Sequence, residues 1–451
     1  MSMKRNQNIH RNYLAIGLIG CGLLFVSHAT LWGHPQIPGA DPGVPLALLG
    51  ATVHPIVGPS IEQATILIEK GRITAVGQDV RIPENARRID LTGKQVYPGL
   101  FDAHTNLGLL EINSVKATLD ETEIGDVNPQ VRAQAAFNPD SEHIPVTRSS
   151  GVLLALTAPA GELLSGRSAV MQLDGWTWED MTLRGDIALH LNWPNMTPNY
   201  DWLVERSSKE QLDQRDKRLQ VLRETFAKAE SYRVARRVNP QGHAVDLRWE
   251  AMIPVLEGKT PVMIDAVDIL EIQAAVTFAD TWKLKLIIVG GYDAGDCLEL
   301  LRQRDIPVVI TGVHRLPQRR SDDYDLAYRL PAVLQEAGVR FCISSAGRFG
   351  ASNVRNLAAN AGMAAAFGLP RDEALKSITL YPAQICGVAD RVGSITVGKD
   401  ATLIVTDGDP LETVTHVRAA FIQGRPVDLN DRHKTLSEKY LEKYRRLRNA
   451  P

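Results

Sequence analysis

The chain has few cysteines and few aromatic residues, and its charges show no excess of either sign. Its four cysteines lie far apart with no CxxC spacing, which argues against a disulfide framework. Aromatic residues make up 6% of the 451 residues, and 50 Lys and Arg residues balance 52 Asp and Glu residues. A nucleic-acid-binding protein usually shows a basic excess or a surface for base stacking. We therefore expect no nucleic-acid partner.

The chain also has no apolar run as long as the roughly 20 residues that a membrane-spanning helix needs. Its long apolar run, Tyr13–Val26, follows three basic residues and precedes small residues suited to cleavage after Ala29. We predict a signal peptide over residues 1–29 and a protein that is exported, either periplasmic or secreted. Lipidation at Cys21 and an uncleaved anchor are the alternatives. We expect contact with a membrane only through this N-terminal segment, if it stays uncleaved.

Short β-favouring runs occur near both ends of the chain. A Pro- and Gly-rich stretch over residues 30–45 predicts a linker. Residues 46–95 and 393–427 carry the β-favouring runs, separated by Gly- and Pro-containing turns. Because neither end is long enough to bury a core alone, we predict one small β-sandwich domain formed by both. Its C-terminal strands are predicted at Ser394–Val397, Ala401–Val405 and Val417–Ile422.

Residues 96–392 alternate short apolar runs with helical stretches, which is typical of an α/β fold and predicts a (β/α)8 TIM barrel. The predicted strands are Gln95–Ala103, Val152–Thr157, Ile187–Leu191, Val262–Ala266, Leu286–Val289, Val308–Thr311 and Arg340–Ser344. An open doubly wound sheet is the alternative, but no Gly-rich phosphate loop follows a predicted strand. A charged helical excursion is predicted over residues 201–237. Residues 428–451 are predicted to form a C-terminal helix that packs on the barrel.

Several motifs stand in a characteristic order at the two ends of the predicted barrel. The first strand leads into Tyr97-Pro98-Gly99-Leu100-Phe101-Asp102-Ala103-His104, and the C-terminal region carries Thr379-Leu380-Tyr381-Pro382-Ala383, Gly398-Lys399-Asp400-Ala401 and Asp407-Gly408-Asp409-Pro410. Together they resemble the amidohydrolase superfamily, in particular its exported imidazolonepropionase- and prolidase-like branch. The resemblance implies a TIM barrel with a β-sandwich made from both chain ends, and hydrolysis of C–N bonds.

The same resemblance implies a metal site, because the family activates a water molecule with one or two divalent metals. Its ligands are a His-x-His pair on the first strand, histidines after the fifth and sixth, and an aspartate after the eighth. A lysine or glutamate on the fourth strand often bridges the metals. In this chain His104 fills the first position, but Asn106 stands at the second and Asp265 replaces the fifth-strand histidine. Glycine stands in the sixth-strand position and no aspartate follows the eighth, so the implied metal site is degraded.

The candidate site residues follow from these positions. His104 and Asp265 are the predicted metal ligands, and Asp265 and His314 are the predicted catalytic residues. Asn106 and Arg348 are predicted to bind substrate, since a guanidinium can bind a carboxylate through two parallel hydrogen bonds. We expect at most one divalent ion of the zinc type, and binding of no metal is the alternative.

His190 is a weaker candidate. It lies inside the third predicted strand, where a histidine is more often a hydrogen-bonded core residue than a ligand. We therefore expect it to have a structural role.

Two functions follow from these observations. The first is a hydrolase that acts on cyclic amide, dipeptide-like or other non-peptide C–N bonds by metal-activated water, with an atypical or weakened site. The alternative is a non-catalytic homologue that binds a small amide, a peptide-like ligand or a protein outside the cytoplasm. The sequence leaves enzymatic activity and the oligomeric state open.

Overall fold

A computed structural model describes residues 37–200, 203–345 and 350–449 of the chain. The predicted signal peptide, Cys21 and the predicted substrate-binding Arg348 lie outside these residues. Within these ranges the chain forms 18 strands and 12 α-helices. The strands are β1 (Leu46–Val53), β2 (Ile61–Glu69), β3 (Arg72–Gly77), β4 (Arg87–Asp90), β5 (Gln95–Pro98), β6 (Leu100–Thr105), β7 (Val152–Thr157), β8 (Leu164–Arg167), β9 (Ala169–Gln172), β10 (Thr182–Arg184), β11 (Leu189–Asn192), β12 (Val262–Ala266), β13 (Leu286–Gly290), β14 (Val308–Thr311), β15 (Phe341–Ser344), β16 (Leu403–Thr406), β17 (Val417–Ile422) and β18 (Arg425–Pro426).

The helices lie mainly between the later strands. They are α1 (His143–Ser149), α2 (Trp178–Met181), α3 (Ser208–Val238), α4 (Leu247–Leu256), α5 (Ile269–Trp282), α6 (Leu298–Gln303), α7 (Leu326–Glu336), α8 (Gly350–Asn353), α9 (Leu357–Ala366), α10 (Arg371–Ser377), α11 (Leu380–Ile385) and α12 (Arg432–Arg448). Short 3-10 helices occur at Lys116–Thr118, Ala133–Ala136, Ala294–Cys297 and Val354–Asn356. None of the helices in the described ranges has the length and apolar composition needed to cross a bilayer. The predicted α/β class is confirmed.

Strands from both ends of the chain share one sheet, which we call the composite sheet. Its order is β18-β17-β16-β5-β1-β2-β3, with β4 beside β1. The two ends meet where β5 pairs antiparallel with β16, with Val96 opposite Val405. Both valines are buried in a core that the two ends build jointly. The N-terminal strands therefore depend on the C-terminal segment to cover their apolar side chains.

One predicted strand of this sheet is wrong. The segment Ser394–Val397 forms no strand, although Ile395 is buried in the core of the composite sheet. The amide of Ile395 donates to the carbonyl of Pro55, in a loop, and not to a neighbouring strand. Gly393, with φ of +89°, turns the chain just before the segment. An apolar run can thus be buried as irregular backbone when its hydrogen bonds go to loops.

The middle of the chain forms two further sheets. One has the order β15-β14-β13-β12-β11-β8, in which β11 to β15 run parallel. The other has the order β10-β9-β7-β6, in which β6 and β7 run parallel. Every residue of β7 and of β13 is buried. This explains why these strands are continuous apolar runs, because helices or other strands cover both of their faces.

The segment between β7 and β11 departs from the regular strand–helix alternation. Strands β8 and β9 are separated by the single residue Ser168, whose amide donates to the carbonyl of Ala188. β9 pairs antiparallel with β7, whereas β8 pairs antiparallel with β11. The segment therefore lies between two strands of the predicted barrel and runs opposite to both.

The charged excursion is one 31-residue helix, α3. It begins with a capping box, in which Ser207 accepts from the amide of Glu210 and the Glu210 side chain bonds back to Ser207. Only four of its residues, in its middle, are buried: Leu222, Thr225, Phe226 and Ala229. The rest of the helix is therefore solvated, as its charge pattern predicts.

The C-terminal helix is present, and it meets the rest of the chain at its first turn, where Nε2 of His433 lies 3.0 Å from the guanidinium group of Arg355. No residue of α12 is buried. Asp431 caps its N-terminus by accepting from the amide of Lys434. The amphipathic pattern predicts the helix correctly, but it does not show whether the apolar face is covered by this chain.

Leu403→Ala should destabilise the composite sheet. Leu403 is 1% exposed and pairs with strands from both sides of β16. Replacing a buried leucine by alanine leaves a cavity and costs about 2–5 kcal/mol. Urea unfolding followed by circular dichroism should show this loss of unfolding free energy.

The matched control is Val414→Ala in the same C-terminal segment, because Val414 is 79% exposed. It should change the unfolding free energy by less than about 0.5 kcal/mol. Equal effects of the two substitutions would contradict the role given to β16.

Candidate functional site

A cavity of about 300 Å³ lies at the carboxyl ends of several strands in the two middle sheets. His104 and Asn106 reach it from the end of β6, His190 from β11, Asp265 from β12 and Thr311 from β14. The ends of parallel strands are where active sites of α/β proteins usually form. Three of the predicted site residues, His104, Asn106 and Asp265, thus line one cavity.

A larger cavity of about 910 Å³ lies elsewhere, among α9, the composite sheet and α12. Its lining includes Arg355, Arg418 and Lys434, and none of the site candidates within the described ranges. The volume of a cavity therefore does not by itself show where the predicted site residues lie.

The alternation of side chains along two strands explains how polar groups reach the smaller cavity. In β12, Val262, Ile264 and Ala266 are buried in the main core, whereas Met263 lies in a separate inner cluster. Asp265 follows Met263 by two residues and so shares its side of the strand. His190 in the same way shares the side of Ala188, which belongs to the inner cluster.

The two cavity histidines are close to each other; His190 is buried, and His104 is half-buried. The ring centroids of His104 and His190 are 5.5 Å apart, with an angle of 42° between the ring planes. Burial lowers the pKa of His104 to about 4. Burial, together with the neighbouring His104, lowers the pKa of His190 well below its ordinary value. Both imidazoles are therefore neutral at pH 7, so each has one N–H donor and one acceptor nitrogen.

Each of these histidines has a buried nitrogen without a hydrogen-bond partner among the described residues. These atoms are Nδ1 of His104 and Nε2 of His190. A buried polar atom without a partner is costly and often marks a place where a ligand or water binds. The expectation that His190 is a hydrogen-bonded core residue is therefore not supported for its Nε2 atom.

Asp265 is exposed to the cavity but is surrounded by protein on its other sides. No hydrogen bond or ion pair from a described residue reaches its carboxylate. Because protein surrounds the carboxylate on the sides away from the cavity, partial desolvation raises the pKa of Asp265 to about 6. A carboxyl group with this pKa can take up or release a proton near neutral pH.

Asn106 is fixed by a residue that the sequence did not indicate. Its Nδ2 atom donates to Oε2 of Glu121 over 2.6 Å, and Glu121 also lines the cavity. Its buried Oδ1 atom has no partner within the described ranges. Gly350 is required beside it, since a Cβ atom there would lie 2.6 Å from this oxygen. The free Oδ1 atom of Asn106 is thus a ready acceptor for a ligand N–H group.

The buried carboxylate of Asp102 fixes the backbone beside the cavity through hydrogen bonds. Ser344 donates from Oγ to Oδ1 of Asp102 over 2.6 Å, and the amide of Ser345 donates to Oδ2 over 3.1 Å. The amide of His104 donates to the same carboxylate over 3.2 Å. Asp102 is fully buried, and burial raises its pKa although these hydrogen bonds act in the opposite direction. The carboxylate thus holds the backbone of His104 in place.

His314 is not among the residues that line the cavity. Its side chain is exposed and meets the ring of Tyr328 edge-on at 6.2 Å between ring centroids. The backbone amide of His314 donates to Oδ1 of Asn360. The structure therefore does not bring His314 together with Asp265, and its catalytic role stays a prediction.

The donor set does not fit the two-metal centre that the sequence resemblance implies. Within residues 37–200, 203–345 and 350–449, no group of three or more His, Cys, Asp or Glu side chains is placed to hold a metal ion. Asn106, Gly290 and Ser345 stand at or beside the strand ends where the resemblance requires two histidines and an aspartate. His104 and Asp265 remain as donors, and two donors bind a transition metal weakly.

Asp265→Asn should remove a pH-dependent loss of stability. The pKa in the folded protein, about 6, lies above the value of about 3.9 for an unfolded chain, so the folded state binds more protons between these values. Asp265 therefore lowers stability as the pH rises from about 4 to about 6, and its full cost is present above that range. Because the carboxylate is accessible from the cavity, we expect about 1 kcal/mol, less than complete burial would give.

Unfolding free energies measured near the two ends of this pH range, and above it, would test the effect. The unfolding free energy of Asp265→Asn should exceed that of the wild type by an amount that grows with pH. Asp79→Asn, at an exposed carboxylate, should show no such growth. A gap that does not depend on pH would contradict the desolvation of Asp265.

Comparisons with known proteins connect this geometry to one family. The sequence profile of the amidohydrolase family matches residues 319–427. Amidohydrolase tasK of Hapsidospora irregularis is 23% identical over 419 residues, which are 86% of this chain and 41% of that protein. Imidazolonepropionase of Vibrio cholerae serotype O1 is 48% identical over 46 residues, which are 10% of this chain and 11% of that protein. The chain thus spans less than half the length of tasK.

A solved structure matches over most of both chains. An amidohydrolase from Thermotoga maritima MSB8 superposes with a TM-score of 0.75 at 25% identity, covering 84% of this chain and 99% of that one. The family profile, the long alignment with tasK and this structural match agree with each other. Residues 319–427 thus match the amidohydrolase family, and the chain resembles a solved amidohydrolase over most of its length.

Proposed function

We propose that the chain is a hydrolase that cleaves C–N bonds in small amide or dipeptide-like molecules, with Asp265 as the general base. The observation that carries this proposal is the unpartnered carboxylate of Asp265, which faces the same cavity as two neutral histidines. The match of residues 319–427 to the amidohydrolase family and the similarity to a solved amidohydrolase support a hydrolase. A cavity of about 300 Å³ has the size of a site for a small molecule.

We further propose that the two middle sheets are two arcs of one eight-stranded barrel. One inner apolar cluster contains residues of both sheets, including Phe101 and Leu154 from one and Met263 and Val309 from the other. Ser344 of β15 supports the closure, because it donates to the backbone carbonyl of His104 in β6. The division into a composite domain (residues 46–95 and 393–427) and a barrel (residues 96–392) is part of this proposal.

In this barrel β8 and β9 together take the third position, and β11 takes the fourth. His190, expected on the third strand, then lies on the fourth. The sequence resemblance implies a metal-bridging lysine or glutamate on that strand. A neutral imidazole there supplies a hydrogen-bond donor or acceptor in place of a bridging group.

The proposed chemistry uses the residues of this cavity directly. The carboxylate of Asp265 takes a proton from a water molecule, and the water oxygen forms a bond to the carbonyl carbon of the substrate. The carbonyl oxygen gains negative charge, which an N–H group of His104 or His190 stabilises. The C–N bond then breaks, and the protonated Asp265 returns the proton to the leaving nitrogen. Asn106 would orient the substrate through its free Oδ1 atom.

A second candidate is a binding protein without catalysis. The replacement of ligand positions by Asn106, Gly290 and Ser345 favours this alternative, because it removes the metal chemistry of the family. Its ligand would be a small amide or a peptide-like molecule in the same cavity. In both cases we propose a location outside the cytoplasm, on the basis of the basic and apolar pattern of residues 1–29.

The metal content of the chain should be at most one divalent ion. His104 and Asp265 are the donors we assign to it, and a pair of donors holds an ion weakly. Elemental analysis of protein purified without chelators should therefore find about one equivalent of zinc or less. His104→Ala should abolish any such binding, whereas His433→Ala, on the exposed helix α12, should not. Two equivalents of zinc per chain would contradict this interpretation of the site.

Hydrolysis assays test the proposed role of Asp265. Glycyl-L-proline, N-acetyl-L-proline and hydantoin serve as probes, with and without added zinc. For a hydrolysed probe, Asp265→Asn should lower kcat/KM by about 100-fold or more, because it removes a general base. The wild-type kcat/KM should fall as the pH drops below about 6, since protonation inactivates the base.

Asp79→Asn provides the control with the same chemical change at an exposed position, and it should leave kcat/KM within about two-fold. If Asp265→Asn leaves kcat/KM unchanged, the proposed base is wrong. If calorimetry shows that a probe binds to the wild type but no probe is hydrolysed, the binding protein replaces the hydrolase.

A further inference from the structure

Helix α12 presents an apolar face to solvent. Leu436 is 38% exposed, Tyr440 49% and Leu447 61%, and no residue of the helix is buried. The helix contacts the rest of the chain at its first turn, where Nε2 of His433 lies 3.0 Å from the guanidinium group of Arg355. An amphipathic helix normally buries its apolar face. The described part of this chain does not cover it.

The apolar side chains form a continuous stripe. With 100° between successive helical residues, Leu436, Tyr440, Tyr444 and Leu447 fall within an arc of about 80°. Leu441 lies about 60° outside this arc. The stripe extends over most of the 17 residues of the helix.

The charges are arranged around this stripe and not at random. The helix carries seven Lys or Arg residues and two Glu residues, in a chain whose net charge is −2. Lys439 and Lys443 flank the apolar arc on one side, each with its ammonium group 5.9 Å from the centroid of the Tyr440 ring. Arg448 lies towards the other side, whereas Glu438 and Glu442 lie on the opposite face of the helix. Four of the seven basic residues therefore border the apolar face: Arg432, Lys439, Lys443 and Arg448. The other three share the opposite face with the glutamates, where Arg445 and Arg446 pair with Glu442.

We propose that α12 binds the surface of a lipid bilayer that contains anionic lipids. A helix with Leu and Tyr on one face and Lys and Arg beside them lies in the plane of the interface, with its apolar side chains among the headgroups and the basic groups near lipid phosphates. The two glutamates on the opposite face remain in water. This goes beyond the expectation from the sequence, in which only an uncleaved N-terminal segment would contact a membrane.

A second copy of this chain fits the face less well. A coiled coil needs an apolar seam sustained over at least three or four heptads, and α12 has 17 residues. Two copies would also bring two strongly basic helices together, which costs free energy. The charge pattern is complementary to an anionic surface and not to itself.

Sedimentation of the full chain with lipid vesicles tests the proposal. One set of vesicles is phosphatidylcholine alone, and the other also contains about 30% phosphatidylglycerol. The chain should bind the anionic vesicles more strongly, and added salt should weaken this binding. Lys439→Gln with Lys443→Gln should lower the partition coefficient by about 30-fold, since each basic group near the surface contributes about five-fold.

Leu436→Gln with Leu447→Gln should also reduce binding, whereas Glu438→Gln on the opposite face should change it less than the Lys pair does. Because all these side chains are exposed, the midpoint of thermal unfolding should stay the same, which separates binding from folding. Equal binding to both kinds of vesicle, or binding unaffected by the Lys pair, would be due to the N-terminal apolar run and would overturn the proposal. So would a dimer in the absence of vesicles that the Leu pair dissociates.

Discussion

The buried carboxylate of Asp102 joins the two middle sheets at the cavity. It lies in β6, and it accepts hydrogen bonds from the side chain and backbone of Ser345 and from the hydroxyl of Ser344 at the end of β15. These partners are about 240 residues away in the sequence. A carboxylate can be buried at this depth only when its oxygens are hydrogen-bonded, so each partner is needed.

The hydrogen bonds of Asp102 also show what Ser345 does at a position where the resemblance implies a metal ligand. Ser345 follows β15, where the resemblance to the family requires an aspartate. Here the serine donates to Asp102, as an aspartate in its ionised form could not. Two carboxylates so close would repel each other unless a cation lay between them. The serine therefore allows the strand ends to approach without repulsion between two carboxylates.

Much of the fold follows from the sequence because buried parallel strands are continuous apolar runs. The runs Val152–Thr157 and Val262–Ala266 are predicted with their observed bounds. Strands β8 and β9 are not among the predicted strands, because Ser165-Gly166-Arg167-Ser168 leaves no long apolar run in this segment, and their antiparallel pairing has no signal in the composition. The exposure of α12 could not be predicted either, because an amphipathic pattern does not show whether this chain or another molecule covers the apolar face.

The sequence predicts those site residues whose place in the fold is set by their position along a strand. His104, Asn106 and Asp265 follow or end strands, and such residues gather at one edge of a parallel sheet. Glu121 was missed because it lies in irregular chain, where no periodicity shows what its side chain meets. His314 was misplaced because Gly312, with φ of +78°, turns the chain after β14, and Asn360 holds the following amides.

The composite sheet has a consequence for the time course of folding. Arg72 donates to the carbonyl of Gly398, which is 326 residues away, and the pairing of β5 with β16 spans a similar length. Contacts between such distant segments form slowly because a long loop must close first. During synthesis, β1 to β5 emerge early, but their last neighbour is made only when nearly the whole chain is complete. Until then the edge of β5 has no strand partner from the C-terminal segment, and an open apolar sheet edge favours aggregation.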